Sequence, residues 1–412
     1  MKIALLGQFG SGNSGNDGSL EAMLGFLRSA CPDAALLCIC SNPAAIRERF
    51  RLDVTGLRAR TALFPPTRRW LDSRLGRNIG RLLGLASILR ILGDVDVMVI
   101  PGTGILDDFQ EAPFGWPFIV YWWCFAARLR GTRIAFVSIG AGPIRGGLSR
   151  WFLTSAARMA SYRSYRDDFS LRYVQGLGID TDSDHRFPDL AFGLQEPAQS
   201  GAVRDRQKPA TVGIGVMQYR GWERDHANAD AIYTTYIAKI ATLTRRLLDG
   251  GRDVRLFMGD RADEKALDDI LATLPQGNGA GHLSATRTAS LQAVMGEVLK
   301  VDMAIVSRFH NLLCALKLGR PTLSLGYAEK NDELMAAFDR AEFCQHIECF
   351  DVDQVLRQVD IVLDDLTAAE SAISRHNIAI RAELRRQEDL LLAEVLVDRR
   401  GNALPLVQDA LR

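Results

Sequence analysis

Short apolar runs that close on glycine, each followed by apolar residues at helical spacing, recur along the chain and predict an α/β architecture with parallel sheets. Residues 3–7, 35–40, 96–100 and 134–139 read as buried strands, and Leu20, Met23, Leu24 and Leu27 mark the helix after the first of them. Residues 165–170 read as a short strand entering a helix. A second set begins at residue 211, with strands over 211–217, 254–258, 303–306 and 322–325. Its helices are marked by Ile232, Tyr236, Ile240, Leu243 and Leu247 and by apolar periodicity around 266–274 and 291–299. Between the two sets, residues 196–209 mix Pro, Gln, Ser, Gly and charge, which is linker composition. From residue 351 the pattern is helical, with a charged periodic segment over 368–395. The expected organisation is a first domain over 1–195, a second over 208–350 and a helical extension over 351–412.

The most chemically suggestive turn is Ser307-Arg308-Phe309-His310. The strand over 303–306 passes directly into a helix whose stripe Phe309, Leu312, Leu313 and Leu316 runs to Gly319, with Ser307 as the expected N-cap. At about 100° per residue, Arg308 and His310 flank that stripe in the first turn, where side chains lean toward the helix N-terminus. Strand-to-helix turns of a parallel sheet lie at its ligand-binding edge. A guanidinium, an imidazole and uncapped amides there suit a small anion. A cap plus a solvated charge explains an isolated Arg-x-His equally well, so the weight falls on the rest of the chain.

Near the start, Gly10, Gly12 and Gly15 match part of the dinucleotide-binding fingerprint. The second strand, however, ends in Ser41-Asn42 where a nicotinamide-binding protein would present an acid, and no Lys follows the glycines as a nucleotide-triphosphate loop requires. What remains is a loop whose amides and whose Asn13, Asn16 and Asp17 side chains could hold phosphate or sugar hydroxyls, or a merely tight turn. Gly102 and Gly104, then Gly140 and Gly142, end two further strands and permit close backbone approach. Asp107 and Asp108 read as caps, since no His or carboxylate at ligand spacing joins them.

With 412 residues, 47% hydrophobic and 24% charged, the chain is globular and long enough for two domains. A net charge of +1 argues against nucleic acid as a partner. Seven cysteines, odd in number and mostly in apolar surroundings, read as reduced core thiols of a cytoplasmic protein. No run reaches membrane-spanning length; residues 116–129 come nearest, with Pro117 inside and Arg128 and Arg130 after them. The arginine-rich stretch 58–90 fits either a solvated helix face or a surface resting on anionic lipid.

Taken in order, Gly10-x-Gly12-Asn13-x-Gly15 with Asn16-Asp17, Gly102-x-Gly104, Ser138-Ile139-Gly140-x-Gly142-Pro143, Arg166-Asp167 with Ser170, Pro188-Asp189-Leu190-Ala191, Ser307-Arg308-Phe309-His310, and Tyr327 with Lys330 resemble the polysaccharide pyruvyl transferase family over about residues 1–335. The resemblance implies two Rossmann-like domains facing across a cleft, as in the glycosyltransferase B architecture, with C-terminal helices. It implies transfer of a pyruvyl group from phosphoenolpyruvate, as co-substrate, to a sugar or lipid-linked saccharide as a ketal during exopolysaccharide or cell-wall polymer synthesis; no further cofactor is expected, and the sequence singles out no metal ligands.

On that reading His310 is the acid/base and Arg308 the anion clamp, with Ser307, Lys330 and Arg220 on the donor side. Gly10, Gly12, Asn13, Asn16, Asp17, Gly102 and Gly104 hold the acceptor. Peripheral contact with the inner membrane surface and a homodimer are compatible partners. A nucleotide-sugar-dependent glycosyltransferase and a non-catalytic sugar-binding paralogue share the same expected shape.

Overall fold

The computed structural model describes residues 1–58, 76–109, 111–198, 208–221, 227–274 and 281–397, the side chains of 76–83 excepted. These residues form two compact units. The first comprises residues 1–11, 19–193 and 383–412, and the second residues 12–18 and 194–382.

In the first unit the strands are Lys2–Leu6 (β1), Ala35–Cys40 (β2), Asp53–Gly56 (β3), Val97–Pro101 (β4), Arg133–Ile139 (β5), Tyr162–Tyr165 (β6) and His185–Arg186 (β7). They make one parallel sheet in the order β3-β2-β1-β4-β5-β6-β7. The helices are Ser14–Ala30 (α1, whose first turn up to residue 18 groups with the second unit), Pro43–Phe50 (α2), Gly76–Ile91 (α3), Trp116–Leu129 (α4), Gly147–Met159 (α5) and Asp168–Gly176 (α6). Alternation along β1 explains why its strand is apolar throughout. Ile3 and Leu5 pack with Leu20 and Leu24 on one face, while Ala4 and Leu6 pack with Met98 and Trp123 on the other. A sheet covered on both faces requires apolar residues at both parities.

The second unit repeats the plan with Thr211–Val216 (β8), Asp253–Met258 (β9), Leu283–Thr286 (β10), Met303–Val306 (β11), Thr322–Gly326 (β12) and Cys344–His346 (β13), ordered β10-β9-β8-β11-β12-β13 and all parallel. Its helices are Ala229–Asp249 (α7), Glu264–Thr273 (α8), Leu291–Val298 (α9), Phe309–Lys317 (α10), Glu329–Ala337 (α11) and Val352–Asp364 (α12), followed by Leu366–Leu390 (α13). The strand order reverses between β8 and β11, so the Arg308 turn leaves the sheet at the switch point where ligands bind in such folds.

The tail expected as a separate extension is divided between the units. Residues up to 382 group with the second unit, where Asn377 Nδ2 donates to the carbonyl of Leu316 at 2.8 Å near the end of α10. From residue 383 it groups with the first, where Gln387 Nε2 donates to the buried hydroxyls of Ser138 at 2.7 Å and Ser164 at 3.0 Å.

Strands β10 and β13 went unanticipated because they are edges: Leu283–Thr286 is half-exposed and only three residues, Cys344–His346, form the other. Residues 59–75 of the arginine-rich stretch, residues 199–207 of the linker and His226 lie outside the described residues. None of the seven cysteines is in a disulfide, and among the described residues no helix is long and apolar enough to cross a membrane.

Candidate active site

The turn after β11 is built around a buried carboxylate that the sequence did not single out. Asp263, fully buried, accepts from Arg308 Nε at 2.5 Å and Nη2 at 2.7 Å. The same carboxylate accepts from the amide of Gln218, just past β8, at 2.8 Å and from that of Gly259, just past β9, at 3.4 Å. One side chain therefore fixes the guanidinium against three strand ends. Burial pulls the pKa of Arg308 down, but hydrogen bonding and charge from Asp263 outweigh it and push it above its ordinary value, so the side chain stays cationic. The expected clamp is thus not an unengaged cation: one edge is committed to Asp263, and the side chain retains 23% exposure.

Ser307 is not the N-cap. Arg308 occupies the cap position of α10 and gives no side-chain cap, while Ser307 is buried with its hydroxyl 3.2 Å from the Tyr236 hydroxyl. Burial, the leading cause, drives the Tyr236 hydroxyl pKa up to about 12, so it remains a neutral hydrogen-bonding anchor, accepting also from the Met217 amide at 3.1 Å. Asn331 Nδ2 reaches the Ser307 carbonyl at 3.4 Å and brings the start of α11 to the same turn. Lys330 accordingly lies 5.4 Å above the Phe309 ring and 5.2 Å above that of Tyr327. Ser307, Arg308, Tyr327 and Lys330 converge. Arg220 does not join them: its guanidinium pairs with Asp230 and lies 4.6 Å over the Tyr233 ring.

His310 is seated against the glycine loop. A Cβ placed on Gly15 would stand 2.0 Å from His310 Cε1 and 2.3 Å from its Nδ1, so only glycine admits the imidazole here. The Ser14 hydroxyl donates to the Gly259 carbonyl at 2.6 Å and holds the loop to the end of β9. Residues 12–18, expected on the acceptor side, thus belong to the same unit as the donor-side turn.

Asn311, also absent from the expected site, is fully buried between Gly215 and Gly259. A Cβ on either glycine would meet its carboxamide at 2.9 Å and 2.5 Å.

The expected acceptor residues divide between the units. Gly12 takes φ +98, and the Asn13 side-chain oxygen accepts from the amides of Gly15 at 3.0 Å and Asn16 at 3.4 Å, capping α1 instead of facing a ligand; Asn16 is buried, and Asp17 bonds through its amide to the Asn13 carbonyl at 3.3 Å. In the first unit Gly10 has φ +70 beside Asn42, and Gly102 has φ +62 with a Cβ position only 2.3 Å from the Ser19 hydroxyl. Gly104 approaches Phe109. These glycines serve close packing. Asp107 and Asp108 cap no helix: they tie loop backbone, accepting from the amides of Phe109 at 2.7 Å and Arg145 at 2.8 Å, while Gly115 and Gly146 stand at the starts of α4 and α5. Arg166 is buried between Asp189 and Asp167 under Gly140, so that motif frames the first sheet.

Solved structures share the fold. A UDP-GlcNAc 2-epimerase from Methanocaldococcus jannaschii superposes with TM-score 0.58 at 12% identity, covering 88% of this chain and 93% of that one. A glycosyltransferase from Rickettsia africae does so with TM-score 0.55 at 10% identity, covering 95% and 98%. Two parallel-sheet α/β units with C-terminal helices, shared with these proteins, define a fold of the glycosyltransferase B type. The family model of the polysaccharide pyruvyl transferases matches residues 13–329, from the glycine loop to the turn after β12, and the chain belongs to that family. No curated protein matches it.

Proposed function

We propose that the protein transfers a pyruvyl group from phosphoenolpyruvate to two hydroxyls of a saccharide as a cyclic ketal, releasing inorganic phosphate. The observation that carries this reading is the pairing, within the family-matched residues, of an Arg308 fixed by Asp263 with a His310 seated on Gly15.

Phosphoenolpyruvate presents a carboxylate and a phosphate on a three-carbon frame, so it needs converging cations and amide donors. Arg308 supplies one cation, Lys330, over the Phe309 and Tyr327 rings, a second, and the first turn of α10 its amides. Ketal formation requires a proton at the methylene carbon as one sugar hydroxyl adds to the neighbouring carbon. A second hydroxyl then displaces phosphate, its proton leaving to a base. His310 is the group proposed to hold and move those protons, since an imidazole titrates near neutral pH. The saccharide is proposed to meet the exposed backbone at Gly12, which lies in the same unit as Arg308 and His310.

The test is incubation with phosphoenolpyruvate and candidate free, nucleotide-linked and lipid-linked saccharides. The expected product carries the mass of an added pyruvate ketal, with one phosphate released per product. His310→Ala should lower turnover by about two orders of magnitude or more. Calorimetric binding of a nucleotide sugar but not of phosphoenolpyruvate would overturn the reading in favour of glycosyl transfer.

A further inference from the structure

Helices α4 and α5 carry a surface that the transfer chemistry does not use. Along α4 and its lead-in, Phe114, Phe118 and Trp122 fall at helical spacing, with ring centroids 5.6 Å and then 5.2 Å apart. Beside them Tyr121 stacks on Phe125 at 5.9 Å and meets Trp151 of α5 at 5.1 Å. The ladder reaches solvent: Phe114 is 48% exposed and Trp151 53%, with Leu129 and Leu148 exposed at its margins. Apart from Ile361 and Ile378, every exposed large hydrophobic side chain among the described residues falls between residues 109 and 151. An apolar concentration of this kind on one face marks an interaction surface.

The charge along this stretch is mostly of one sign, with the Glu111 carboxylate, which accepts from the Trp116 amide at 3.1 Å, as its acidic border at the start of α4. From residue 112 to residue 166 the chain has eight arginines and no aspartate or glutamate. Arg163 and Arg166 are taken up by Asp184, Asp189 and Asp167. Arg128, Arg130, Arg145, Arg150 and Arg158 are exposed. Arg128 follows Phe125 by one helical turn and Arg150 adjoins Trp151, so cations border the aromatic ladder.

We infer that this face docks the protein on an anionic phospholipid bilayer. Trp and Tyr favour the headgroup level, Phe and Leu the acyl boundary beneath it, and arginines the phosphates around them. A symmetric dimer through the same face would oppose like charges across its axis, which disfavours a second copy as the occupant. The inference stands apart from the pyruvyl reading, because it rests on different residues and is read without turnover.

The experiment is flotation of the purified full-length chain with vesicles of phosphatidylcholine alone or with about a third phosphatidylglycerol. The protein should float with the anionic vesicles and not with the neutral ones, and high salt should release it. Arg128→Glu with Arg150→Glu should weaken binding by at least about tenfold, at roughly fivefold for each cation lost. Phe114→Ser with Trp151→Ser should weaken it comparably, while circular dichroism and thermal melting stay those of the wild type. Undiminished flotation of both double variants would overturn the inference. So would a dimer in sedimentation that Phe114→Ser with Trp151→Ser converts to monomer, or release from vesicles by single-stranded oligonucleotide at equal phosphate but not by salt.

Discussion

Replacing Asp263 by Asn tests whether one buried carboxylate organises the donor-side turn. The substitution preserves shape and removes charge. Four donors converge on the carboxylate: Arg308 Nε and Nη2 and the amides of Gln218 and Gly259. The carboxamide keeps one acceptor oxygen and turns an NH2 toward groups that can only donate. Removing one partner of a buried ion pair costs about 3–5 kcal/mol, because the other charge is left uncompensated.

For a unit of roughly 200 residues, each kcal/mol moves the melting temperature by about 2–4 °C, so a drop of about 6–20 °C is expected in the transition of the second unit. At a temperature below that transition, titration calorimetry should find phosphoenolpyruvate bound at least about tenfold more weakly, the guanidinium having lost its tether. Asp263→Asn combined with Arg308→Met should lose less stability than the two single changes added together. An Asp263→Asn protein that melts within about 1 °C of the wild type, or whose losses with Arg308→Met simply add, would refute the reasoning.

Gly15→Ala inverts the usual helix-propensity gain of up to about 1 kcal/mol, because the new methyl occupies the place of the His310 ring; turnover should fall about tenfold or more with a smaller loss of stability, and unchanged kinetics in a stabilised variant would show that the imidazole has no fixed seat. Glu297 gives a pH dependence with a definite sign. Burial alone would raise its carboxyl pKa, but hydrogen bonds from Lys300 at 2.6 Å and Arg255 at 2.8 Å outweigh that and hold it below its ordinary value of 4.5. The unfolded chain then takes up the proton first, so this stability is present above about pH 4.5 and is lost as pH falls through the lower folded value. Urea titrations should find a flatter acid limb in Glu297→Gln, and identical limbs would count against the assignment. Gln387→Ala leaves the buried Ser138 and Ser164 hydroxyls without its amide and should cost the first unit about 1–3 kcal/mol, whereas a change under about 0.5 kcal/mol in denaturant unfolding would assign the contact no weight.

Much of this architecture is written locally. The apolar run over 303–306 and the stripe from Phe309 to Leu316 specify a strand and a helix by periodicity alone, and they appear as Met303–Val306 and Phe309–Lys317. Likewise the helix expected over 116–129 spans Trp116–Leu129. Ordered glycine motifs were enough to mark the family, because each records a place where backbone must approach closely. Gly15 shows the limit of that record: the sequence displays the glycine, but not the His310 ring, 295 positions later, that excludes a side chain from it.

Partnership between distant residues was decided only by the tertiary structure. Asp263 lies in a polar segment with nothing to distinguish it from its neighbour Asp260, and it becomes the anchor of Arg308 only when β8, β9 and β11 end side by side. Ser307 looked like a cap until Tyr236, a stripe residue of α7, claimed its hydroxyl, and Arg220 was drawn away by Asp230. Periodicity is a short-range property of the chain and survives reading in one dimension. Hydrogen bonds and ion pairs depend on distances of about 3 Å between residues far apart in sequence, and only the packed sheet sets those distances.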